Sequence, residues 1–136
     1  MKKKRIDFAA IILLTLFTAI MFVTACGARP VPGIDAGDVS SVLVTVRPQD
    51  RELLVKDSEQ IKEIVGIINA VVTYEKSDDR REYAGQYAGL ALHMKTGENI
   101  EVAAYNPLII INGQGCKTEY EPCEKLNAIA NRLLGI

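Results

Sequence analysis

"DSEQIKEIVGIINAVVTY", residues 57–74, is the stretch on which the fold turns. Ile61, Ile64, Val65, Ile68, Val71 and Val72 recur at three- and four-residue steps, which gathers their side chains into one apolar stripe along a helix. Asp57 is placed to cap the first turn, and Gln60, three residues on, completes a capping box. A helix with one apolar stripe needs an apolar surface to lie on. The segments around it supply one.

Upstream, "VSSVLVTVRP" sets Val42, Val44 and Val46 against Leu43, Thr45 and Arg47, the period-two alternation of a strand with one buried face. After the Pro48-Gln49-Asp50 turn, "ELLVK" reads as its hairpin partner. Downstream, residues 75–89 carry charges, tyrosines and glycines without periodicity and read as a surface loop. "LALHMKTGENIEVAAY" then forms a hairpin around Thr96-Gly97-Glu98, with Leu90, Leu92, Met94, Ile100, Val102 and Ala104 turned to the core and His93 opposite Glu101 on the outside. Asn106-Pro107 ends that strand. "LIIIN" starts another, its turn marked by Asn112-Gly113, and a short strand returns through Cys116 and Lys117. "EPCEKLNAIANRLLG" closes the chain as a second helix, with Pro122 at a first helical position, an apolar stripe of Leu126, Ile129, Ala130, Leu133 and Leu134, and Arg132 complementing the helix dipole.

The order β-β-α-β-β-β-β-α lacks the regular crossovers of a parallel sheet. The expected fold is therefore α+β: an antiparallel sheet with two helices packed on one face. The other face, bearing Leu43, Thr45, Ala91, His93, Ala103 and Tyr105, is left to solvent or to a partner.

The first 25 residues belong to a different kind of structure. Lys2, Lys3, Lys4 and Arg5 precede an apolar run from Phe8 to Val23, the layout of an export signal. Val23-Thr24-Ala25-Cys26 resembles the bacterial lipobox, the cleavage and modification motif of bacterial lipoproteins. That resemblance implies a diacylglyceryl group on the Cys26 sulfur, cleavage before it, and a domain held by lipid at the extracytoplasmic face of the cell membrane. Two acyl chains give a stable anchor where one would not. A retained spanning helix and an ordinary secretory signal with an incidental cysteine are the alternatives. In outline, the "IIING" hairpin and the closing "EKLNAIANRLL" are similar to small lipoproteins of Gram-positive bacteria, which have no established activity to carry over. Gly27 does not match the aspartate that retains lipoproteins at the inner membrane of Gram-negative cells.

The expected layout is a signal over 1–25, a lipidated cysteine and flexible tether over 26–38, and one domain over 39–136. Removing the signal's four basic residues and Asp7 leaves 12 basic against 16 acidic residues, a formal net charge of −4. Such a balance disfavours nucleic-acid binding, which needs a basic surface.

Chemistry is sparse. His93 is the single histidine, so an H-E-x-x-H zinc site is excluded. No serine sits in G-x-S-x-G, and "NGQGC" lacks the lysine and helix of a phosphate loop. Asp78-Asp79 and Glu119 with Glu121 show neither the contrasting environments of an acid and base pair nor calcium-loop spacing. Tyr74, Tyr83, Tyr87, Tyr105 and Tyr120 are read as packing residues with scope for an interface anchor. Cys116 and Cys123 are a candidate disulfide of an exported domain, against two reduced thiols. No catalytic residue, cofactor or metal ligand is identified. The expectation is a non-enzymatic binding or interaction domain whose exposed sheet face, Leu43, Thr45, His93, Ala103 and Tyr105, meets an envelope protein or a small ligand; a small enzyme or accessory subunit and a structural spacer are the alternatives.

Overall fold

A computed structural model describes residues 31, 33–77, 85–106 and 108–136. The expected signal and Cys26, with Asp78, Asp79, Tyr83 and the expected strand break at Pro107, lie outside the described residues.

Seven strands form one antiparallel sheet: β1 (Val39–Arg47), β2 (Arg51–Val55), β3 (Thr73–Lys76), β4 (Tyr87–Met94), β5 (Asn99–Tyr105), β6 (Leu108–Ile111) and β7 (Gln114–Thr118). Their spatial order is β2-β1-β4-β5-β6-β7-β3. The two helices, α1 (Ser58–Asn69) and α2 (Tyr120–Leu134), cover one face. The α+β class and the expected succession of elements are therefore found, with one further short strand, β3.

β3 arises where the helical stripe was read too far. α1 stops at Asn69, whose side chain accepts from Ile34 N and donates to Ile34 O, both at 2.9 Å. The residues that follow, Val71-Val72-Thr73-Tyr74, are β-branched or aromatic and suit a strand better than a helix. Val71 stays in the core, and Thr73 and Lys76 pair with Thr118 and Cys116 at the far edge of the sheet.

Four further details depart from the sequence reading. The hairpin between β4 and β5 turns on the three residues 95–97, with Met94 N donating to Glu98 O and Gly97 at φ 90°. That loop needs a positive φ at its last residue, which glycine adopts without strain, and it slides the register so that His93 faces Asn99 and Ala91 faces Glu101. The segment read as a loop over 75–89 begins in β3 and ends in β4, which starts at Tyr87. Pro122 is the third residue of α2, still within the first turn, where the missing N–H forfeits no helical bond. The domain also begins earlier than expected: Val31 and Ile34 are buried in the core, and residues 36–38 make a 3-10 turn capped by Asp35.

The core lies between sheet and helices. Val42, Val44, Val46, Leu90, Leu92, Val102 and Ile109 from the sheet meet Ile61, Ile64, Val65 and Ile68 of α1 and Leu126, Ile129 and Ala130 of α2. Each large side chain so buried contributes roughly 1.5–3 kcal/mol. The helices also meet through an ion pair, Arg132 Nη2 to Glu63 Oε2 at 2.6 Å. Asp57 Oδ1 accepts from Gln60 N at 2.9 Å, the expected cap of α1.

Leu126 is fully buried, so Leu126→Ala should cost about 3 kcal/mol, while Asp57→Ala should cost only about 1 kcal/mol. Equilibrium urea unfolding checks both; a Leu126→Ala variant as stable as its parent would place α2 off the sheet.

Candidate functional site

On the helix-free face, side chains from alternate positions line up in rows across the strands. One row runs Thr45, Gly89, Ala103 and Ile110 through β1, β4, β5 and β6. Its neighbour toward the 95–97 turn runs Leu43, Ala91 and Glu101. On the other side, Arg47 faces Tyr87, and Tyr87 meets Tyr105 edge to face with ring centroids 6.0 Å apart. The middle of the face is thus built from small residues, with large ones around it. The result is a groove of about 480 Å³ over Thr45, Gly89, Ala91 and Ala103, with Arg47, Tyr87, Glu101 and Ile110 on its walls.

Gly89 makes this shape. A Cβ there would stand 2.9 Å from Tyr87 Cε1 and 3.2 Å from the Tyr87 hydroxyl, so the ring lies directly above the glycine. Burial is the main cause that pushes the Tyr87 phenol above its ordinary pKa; the Glu101 carboxylate pushes the same way and the Arg47 guanidinium opposes it. Raised in this way, the phenol stays protonated through the physiological range and offers a hydrogen-bond donor. The groove therefore carries one cation, one anion, a neutral donor and the Thr45 hydroxyl over an apolar floor. Such a set can orient a polar or zwitterionic group by hydrogen bonds and charge.

Of the residues expected on this face, Leu43, Thr45 and Ala103 line the groove, as does Ala91. Tyr105 stands behind Tyr87 as its ring partner. His93 lies a row further out beside Ser41, its Nδ1 2.8 Å from Asn99 Oδ1. Gly89 was missed; Arg47 had a place on the outer side of β1 and Tyr87 one among the candidate interface anchors, but neither was assigned to this face's binding set. Tyr87 and Gly89 were hidden in the apparent loop, although "YAGLALHM" alternates well enough to have extended the strand. Glu101 was placed on the right face in the wrong register.

A second cleft of about 230 Å³ lies between the C-terminal end of α1 and the start of α2. Its charges are already matched: Tyr74 donates to Glu119 at 2.7 Å, and Lys125 pairs with Glu121 at 2.7 Å. Cys116 and Cys123 stand as buried thiols rather than a cross-link. Cys123 Sγ lies 3.6 Å from Leu108 O, and Cys116 Sγ lies 4.0 Å from Gln114 O. Among the described residues, no three His, Cys, Asp or Glu side chains are grouped to hold a metal ion. Comparison with family models, curated proteins and solved structures finds no match for the chain.

Two measurements probe this geometry. Gly89→Ala should displace the Tyr87 ring and return its phenol toward pH 10, seen as an earlier tyrosinate component at 295 nm; an unchanged titration would show that the ring does not rest on the glycine. Burial pushes the Cys123 thiol up to about 11 from 9.0. Because folding favours the protonated thiol, its contribution is complete below pH 9 and disappears as pH rises to 11. Cys123→Ala should accordingly lose less stability than the parent across that window in urea unfolding at stepped pH, and equal losses would contradict the burial.

Proposed function

We propose that the chain is a lipid-anchored, extracytoplasmic binding domain that receives a ligand or protein on its helix-free sheet face. The observation that carries the binding half is the groove over Gly89, where a cation, an anion and a protonated phenol converge above a small-residue floor. A packed sheet face without such a depression would offer no enclosed polar groups. The anchoring half rests on the sequence: a basic start, an apolar run and Val23-Thr24-Ala25-Cys26. The two halves suit each other, because a domain fastened by lipid needs no spanning helix of its own packed on the helix-free face.

The groove supports binding better than catalysis. Glu101 and Arg47 are solvent-side groups of opposite charge, and Tyr87 is held in the form that donates rather than abstracts a proton. None of these is an activated nucleophile.

Fractionation of producing cells should find the parent chain with the membranes and Cys26→Ser in the soluble fraction or uncleaved; a variant matured and retained like the parent would overturn the anchor. A photo-reactive residue at position 45 should yield adducts in intact cells that one at Glu59, on the opposite layer, does not. Identical adducts from both positions, or none from position 45, would remove the sheet face from consideration.

A further inference from the structure

We propose that β2 pairs antiparallel with β2 of a second copy of this chain, in the register that sets Leu54 against Leu54, joining two sheets into one. β2 is the terminal strand of the sheet, and among the described residues nothing is paired with its outer edge. It also bears two exposed leucines, Leu53 at 38 % and Leu54 at 47 %, one toward each face. Exposed edges of this kind are normally blunted by charge or by a covering segment.

The charges here select a partner instead of repelling one. Glu52 and Leu54 share the outer face of the strand at a two-residue step, and Lys56, the first residue after its end, continues that step. Symmetric antiparallel registers can centre on any one residue, and their charge patterns differ. Centring on Glu52 opposes that carboxylate to its own copy. Centring on Leu53 sets Glu52 against Leu54, and centring on Val55 sets Leu54 against Lys56. Centring on Leu54 brings leucine to leucine and places Glu52 of each copy opposite Lys56 of the other. Arg51 and Asp57 then also face each other with opposite sign, although Arg51 already donates to Leu134 O at 3.3 Å and Asp57 caps α1. Glu52 and Lys56 are exposed and have no ion-pair partner among the described residues. Opposite charges directly across a pair of strands stabilise it, and like charges there destabilise it.

A two-fold axis perpendicular to the sheet relates the copies. It keeps both helix layers on one side and both grooves on the other, so two ligands could be held side by side. So short an edge buries far less than the roughly 1,200 Å² of a stable interface, so pairing is weak in dilute solution. Confinement on one membrane, which rests on the proposed anchor, would strengthen it by raising the effective concentration.

The test is cross-linking of the full chain carrying Leu54→Cys under copper–phenanthroline. It is read both in the producing cells and on purified protein at high concentration, so that failure of the anchor leaves the pairing testable. A species of twice the chain mass should form at least several-fold more from Leu54→Cys than from Thr96→Cys, which lies at a distant turn. Adding Glu52→Lys should lower that yield at least three-fold, and further adding Lys56→Glu should restore it. Equal yields at positions 54 and 96, no response to the charge reversals, or an adduct of another mass at position 54 would each overturn the pairing.

Discussion

Two amphipathic helices have to cover a sheet of seven strands, and between them they can cover only one of its faces. Nearly everything else about the molecule follows from that constraint. The side chains of Val42, Val44, Val46, Leu90, Leu92 and Val102 form the buried face, and α1 and α2 lie on them. Their neighbours in sequence must then point the other way, because successive strand residues alternate in direction. The chain has no third helix among its described elements to set against them. The bare face is built instead from small residues at its centre and from Tyr87, Arg47, Glu101 and Ile110 around it. A concave, partly polar surface results from the way the core is satisfied.

The layers were legible because burial writes a period into the sequence. Valines at 42, 44 and 46 and the stripe of α1 state their own direction, and the Asn112-Gly113 turn states its geometry: both residues have positive φ, 47° and 85°. What the pattern could not give was the end of an element whose neighbour shares its composition. Val71 and Val72 continue the helical stripe by chance, and the sheet claimed the residues after them. Registers were similarly hidden, since Thr96-Gly97-Glu98 allows more than one turn and only the bond from Met94 N to Glu98 O selects among them. The groove was half legible. Its floor follows from strand alternation, but the placing of a ring over Gly89 is a packing result that no local pattern encodes.

Tyr87 ties these levels together. Its position in β4 is set by pairing with Arg47, its ring is steadied by Tyr105, and the missing side chain at 89 gives it a place to lie. The phenol so sheltered is a weaker acid than one in water. A glycine in mid-strand ordinarily weakens a sheet. Here the loss is offset by the aromatic surface laid over it.

The burial of Val31 and Ile34 has a consequence for how the molecule would sit in its surroundings. Because Val31 already belongs to the folded body, only the four residues 27–30 would lie between it and a lipid on Cys26, and they would set the greatest length of any leash. Fully stretched, at about 3.5 Å per residue, that leash is shorter than about 20 Å. Under the proposed anchoring the body would ride against the headgroups, with little room to tumble, and would meet its neighbours chiefly by drifting sideways in the plane of the bilayer.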